Sequence, residues 1–191
     1  MNAGITTSFI VGGLLLLAML QFSGKVFQNS AEITLDMNNK NQVVTIRHML
    51  EHDFSRIGLG TNSSINSFSP PNRINFTADI AGNGPRTIVW NFQENAPVNS
   101  TSNPNDRKLI RTGPVDSTPG NANTQFAVVD FSITAFSDHI GKDTTTTTND
   151  IKSILVEVVY ESPEAIARDA NEAHYSRSTW RKLFVPGNLN F

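Results

Sequence analysis

The feature that most restricts how this chain can fold is the run from Ile5 to Phe22, ITTSFIVGGLLLLAMLQF, which lies in a stretch with no charged side chain before Lys25. About 18 residues of helix span roughly 27 Å, close to the hydrocarbon thickness of a bilayer. The block Leu14 to Leu17 is apolar on every side, whereas a helix at the edge of a soluble core is apolar on one. A cleaved secretory signal carries Lys or Arg ahead of its apolar stretch and a small-residue site behind it, and this run has neither. The expectation is therefore a retained membrane anchor or filament-core helix over residues 1–24. Lys25 follows the run and no basic side chain precedes it, so charge asymmetry does not place the remainder outside the cytoplasm.

From Lys25 to Ile57 there is no Pro, and Gly returns only at Gly58. Apolar residues recur at Val26, Ile33, Met37 and Val44, and again at Val43, Ile46, Leu50, Phe54 and Ile57. Steps of three and four predict an amphipathic helix with one buried stripe over 25–57. Joined to the anchor, it makes a helix of about 50 residues, roughly 75 Å long. Gly58-Leu59-Gly60, the polar run Thr61 to Ser64 and Pro70-Pro71 mark its end.

Beyond this point the period changes to two, which predicts a β-rich head over 58–191. Ile74, Phe76 and Ala78 alternate before the turn Gly82-Asn83-Gly84-Pro85. Arg86 to Phe92 reads as a strand, and Asp106 to Thr112 as its partner. Gln125 to Phe136 and Ile151 to Glu161, rich in Val, Ile and Phe, are the strongest strands. Asp143 to Asp150, with five consecutive Thr, is a polar loop, and Asn95 to Asn105 is another. Ser162 to His174 reads as a connector with one or two helical turns, and Trp180 to Val185 as a last strand. A long helix followed by an antiparallel sheet that covers its stripe is an α+β arrangement.

Composition narrows the chemistry. Lys and Arg total 15 against 17 Asp and Glu, and no basic stripe occurs, so no nucleic-acid partner is expected. With no Cys, disulfides, thiolate metal sites and Cys nucleophiles are excluded. The uncharged polar residues are mostly Asn, Ser and Thr, which suits an exported, surface-exposed domain.

The sharpest chemical motif is His48-Met49-Leu50-Glu51-His52, an H-x-x-E-H match to the inverted zinc-protease pattern. On a helix, His48 and His52 share a face as two zinc ligands require, with Glu51 as general base. The motif falls in the helix just before the head, and no second helix offers a placed Glu, so packed or solvated histidines are the reading preferred. Asp143, Asn149 and Asp150 cluster oxygens suited to calcium but lack EF-hand spacing. Asn62, Asn75 and Asn99 begin N-glycosylation patterns that chance produces in a chain so rich in Asn, Ser and Thr. No nucleophile elbow occurs. Trp90 and Trp180 lie in strands and read as core. The expectation is no catalytic residue, no cofactor and no metal.

Taken in order, several segments resemble the type IV pilin superfamily, and most closely its minor pilins and the J-type minor pseudopilins of type II secretion. They are the apolar-then-amphipathic helix, its ending HDFSRIGLG (His52 to Gly60), and IVW (Ile88 to Trp90) ahead of KLIR (Lys108 to Arg111). FAVVDFSITAFSD (Phe126 to Asp138), IKSILVEVVYESPE (from Ile151) and LFVPGNLNF at the close complete the series. The resemblance implies a filament subunit held in the inner membrane before assembly and displayed on the cell surface afterwards, with copies of itself or other pilin-like subunits as partners. It implies an assembly helix that uses Ile5, Phe9, Ile10, Gly12, Gly13, Leu14, Leu17 and Leu20, with Gly4 as the processing site. Gly12-Gly13 would allow close helix approach or local unwinding. The family carries Glu at the fifth position after cleavage, where it neutralises a neighbour's terminal amine in the apolar core. Cleavage after Gly4 would put Phe9 fifth, and no Glu occurs before Glu32. The leader Met1 to Gly4 also lacks Lys and Arg. These departures imply a tip or accessory subunit, or a core packed differently. A monomeric anchored adhesin and a membrane-tethered metalloprotease are the competing readings.

Overall fold

The computed structural model describes residues 3–61, 64–115, 120–168 and 173–189. It divides into two compact units, Met1–Asn38 and Asn39–Phe191. The fold is α+β, with a long apolar N-terminal helix followed by antiparallel sheets, a pilin-like architecture.

Helix α1 covers Ala3–Phe54, 52 residues without a break. The turn that follows it is sterically restricted. Gly58 has φ +78°, and a Cβ there would approach the Asn188 carbonyl oxygen to 2.6 Å, so the turn after the helix admits only glycine without a backbone shift. The stripe that α1 buries is narrower than the periodicity suggested. Ile46, Leu50, Phe54 and, in the following turn, Ile57 are buried in the core, and Val43 packs at its margin. Val26, Ile33, Met37 and Val44 are exposed. At about 100° per residue, Val44 falls on roughly the opposite side of the helix from Ile46. The apolar positions therefore form two stripes, of which one is buried.

The second unit is strand-rich. Strands β1 (Ile65–Ser69), β2 (Arg73–Ala78), β3 (Arg86–Pro97), β4 (Arg107–Gly113) and β5 (Ala122–Val128) form a five-stranded antiparallel sheet in that order. Strands β6 (Asp130–Phe136), β7 (Ser153–Glu161) and β10 (Arg177–Phe184) form a second sheet in the order β10-β7-β6. A hairpin of β8 (Ala167–Arg168) and β9 (Ala173–His174) occupies the connector. No helical turn is found there among the described residues. The segment Gln125 to Phe136, read as one strand, is two strands in different sheets, with the switch at Val129, whose N–H bonds to the Val159 carbonyl. Trp90 explains the break in part: its ring stacks on Phe126 from β5 and on Phe131 from β6, and so joins both sheets. Asp106 to Thr112 does pair with the preceding strand, with Val89 opposite Thr112 and Phe92 opposite Leu109.

The core holds Leu50 and Phe54 of α1 against Ile74, Phe76, Ile88, Leu109, Ile133, Val156 and Val158. Burial of such side chains stabilises by about 1.5–3 kcal/mol each. Leu50→Ala should therefore cost about 2–5 kcal/mol, while Ile33→Ala should stay within about 0.5 kcal/mol. Chemical denaturation of the detergent-solubilised chain, followed by Trp fluorescence, measures both.

Candidate functional site

Two features stand out, one in each unit. The first is the N-terminal part of α1. Thr6–Thr34 is a helical stretch of 29 residues, long and apolar enough to cross a membrane, and none of its most apolar window is buried. Phe9, Ile10, Leu14, Leu17 and Leu20 are all exposed, Phe9 at 78%. Large apolar side chains over so much surface mark a membrane or association surface. An N-terminal helix of this kind serves as a membrane anchor or a secretion signal. Gly12 and Gly13 lie within regular α-helix with nothing within 4 Å of where a Cβ would stand. The backbone is regular helix there, and the surface at both glycines is open. Gly4 is helical and exposed, and its carbonyl accepts the Ser8 hydroxyl at 3.0 Å. The side chain of Ile5 lies outside the described residues, as do Asn62 and residues 169–172 of the Ser162–His174 connector.

The second feature is a buried polar node in the Asn39–Phe191 unit. Asp53, in the last turn of α1, is fully buried. Its carboxylate accepts Arg111 Nε at 2.6 Å and Arg111 Nη2 at 3.0 Å, and the Trp90 indole N–H at 2.9 Å. Arg111 Nη1 also donates to the Pro114 carbonyl at 3.1 Å. Strand parity aims these groups inward, since Ile88, Trp90 and Phe92 on β3 and Leu109, Arg111 and Gly113 on β4 form the buried faces. A bidentate Arg–carboxylate pair with a third donor meets the condition under which a buried ion pair is tolerated. The sequence places Asp53 in the helix ending and Arg111 in the KLIR segment and gives no sign of their pairing. The available signal was the burial parity: both charges occupy positions whose neighbours one turn or two residues away are core.

His48 and His52 lie on one side of α1, both exposed, and line a cavity of about 510 Å³ together with Asp53 and Arg111. His52 Nδ1 lies 3.5 Å from Asp53 Oδ1. Glu51 points elsewhere, accepting Lys182 Nζ of β10 at 2.9 Å and Arg47 Nε at 3.2 Å. The Lys182 hydrogen bond, followed by that from Arg47, holds its carboxyl below the ordinary range. The arrangement thus gives the motif's Glu a structural tie between helix and sheet. No group of three metal-ligating side chains occurs among the described residues. In the Thr-rich region, Asp138 is the organising acid: it accepts the backbone N–H groups of Ile140, Lys142 and Asp143. Trp90 is fully buried, and Trp180 is half-buried beside Phe184.

Asp106 is a second buried acid. It is 2% exposed, its Oδ1 has no hydrogen-bond partner, and burial raises its carboxyl above the ordinary range. No family model, curated protein or solved structure matches the chain.

Removing one partner of the node leaves a buried charge, so Asp53→Ala and Arg111→Ala should each destabilise by about 3–5 kcal/mol. The paired change should cost less than the sum of the two, and a double-mutant cycle by denaturation reads the difference. Asp106 predicts the opposite sign. Its folded state binds a proton more readily than its unfolded state, so it subtracts stability above its raised pKa, and the loss disappears as pH falls toward the ordinary carboxylate range. Asp106→Asn should therefore raise the melting temperature at pH 7, with the gap over the parent closing in acid.

Proposed function

We propose that this chain is a structural subunit of a type IV pilus-like filament, assembled through its N-terminal helix with the β-rich unit displayed to solvent and neighbours. The observation that carries this reading is the exposed apolar surface of Thr6–Thr34, in the same unbroken helix whose later residues Ile46, Leu50 and Phe54 enter a β core. A helix apolar all round has two stable environments, a bilayer and a bundle of like helices. Exchange between them converts lipid contact into helix–helix packing, which needs close approach at small residues such as Gly12 and Gly13.

On this reading the chain resides in the inner membrane before assembly and on the cell surface afterwards, and it works by assembly, not catalysis. The engagement of Glu51 with Lys182 and Arg47 supports that view of the H-x-x-E-H segment. Phe9 stands where the resembled family has its core Glu, so no carboxylate is available near the start of the helix to meet a neighbour's amine. Side-by-side packing must then rely on apolar contact and on charges further along. The competing anchored binding module needs a continuous apolar or aromatic patch on the head. Beyond α1, the described large apolar side chains most exposed are Leu59, Val115, Ile140 and Val185, which are scattered along the sequence.

Negative-stain microscopy of material sheared from expressing cells, with an antibody to the β-rich unit, tests the reading. Labelling along fibres is the expected result, and labelling confined to tips would make the chain an initiating subunit. Signal only in the membrane fraction, with no fibre labelled, would replace the filament by the anchored binding module.

A further inference from the structure

Within Thr6–Thr34 only Lys25 and Glu32 are charged. Both are exposed, and among the described residues neither enters an ion pair. They stand one heptad apart, which places them on one side of α1, within about 20° of each other and about 10.5 Å apart along the axis. That separation is too long for an ion pair within the helix. The same side carries Leu14, Ala18 and Phe22, all exposed. It is therefore an apolar strip that ends in a positive charge and then a negative one.

Such a strip has a definite complement. Copies anchored by the same helix enter the same bilayer in the same direction, so their helices are parallel. Two parallel copies in register would set Lys25 against Lys25 and Glu32 against Glu32. An offset of one heptad sets Lys25 against Glu32 and lets Phe22 and Ala18 pack on the neighbour's chain. Beside apolar helices an unpaired charge is costly, so the offset arrangement is favoured.

We propose that this side of α1 is the contact between successive copies of the chain, laid parallel and offset by one heptad, with Lys25 of one copy paired to Glu32 of the next. The proposal rests on the filament reading and specifies its register. The pair takes over, further along the helix, the charge matching that Phe9 cannot provide.

Charge exchange in the full-length chain is the test, read as the amount of fibre sheared from cells at equal expression. Lys25→Glu and Glu32→Lys should each lower fibre yield by about tenfold, the change that about 1.4 kcal/mol per contact produces. The double variant Lys25→Glu/Glu32→Lys should restore yield to near that of the parent chain. Because the chain has no native Cys, a Lys25→Cys/Glu32→Cys variant adds a second readout. Oxidation of its fibres should give a ladder of linked multimers. Closed dimers alone would mean in-register or antiparallel contacts and would overturn the proposal. Parent fibres with both single variants assembling normally would overturn the register and leave the filament reading intact, whereas absence of parent fibres would remove both.

Discussion

The β-rich unit depends on a charge that has no access to water. Asp53 reaches burial because α1 delivers it there on the same side as Leu50 and Phe54, and it is held by Trp90 from the central strand of the larger sheet and Arg111 from the strand beside it. Breaking one of these contacts exposes the rest to the full desolvation penalty, so helix, β3 and β4 form as a set. The pair also fixes register. A one-residue slip of β4 against β3 would turn Arg111 to the outer face and leave the carboxylate unpaired. Trp90 extends the same constraint to the second sheet by stacking on Phe131. The helix end, the strand register and the sheet junction thus share one set of contacts.

The N-terminal part of α1 obeys a different requirement. Its backbone hydrogen bonds are satisfied within the helix, as a lipid environment demands. Its side chains from Phe9 to Phe22 are predominantly large and apolar, and they remain exposed. A single helix therefore carries two surfaces, one completed inside the chain and one that must be completed from outside it. In the proposed filament, the bilayer would complete the second surface before assembly and packing against other copies would complete it afterwards.

Much of this was legible in the sequence because apolar periodicity reports burial directly. The all-apolar run, the stripe Ile46-Leu50-Phe54-Ile57 and the alternation in RTIVWNF and SILVEVVY led to the α+β class. Four things were not legible. The series Val26-Ile33-Met37-Val44 has the same spacing as the buried stripe, and spacing alone does not say on which side a partner lies. The run from Gln125 to Phe136 keeps strand composition throughout, so a change of sheet at Val129 leaves no compositional mark. The INSFS segment forming β1 has only two apolar residues and drew no strand assignment, yet Ile65 is buried opposite Phe76. The Asp53–Arg111 pair was hidden for another reason: its members are far apart in the chain, and only the inward parity of each hinted at burial. The H-x-x-E-H motif is a different case: helical spacing puts the two histidines on one side, and Glu51 is tied to Lys182 instead of sharing a site with them.

The central claim is that the apolar surface of α1 passes from lipid to other copies of the chain. Photo-crosslinking from a reactive side chain placed at Leu14 or Leu17 tests it directly, by comparing adducts in the membrane fraction with those in sheared material. The account predicts lipid adducts in membranes and chain-to-chain adducts in the sheared fraction. Lipid adducts alone in both fractions would contradict it and leave the helix as an anchor and nothing more.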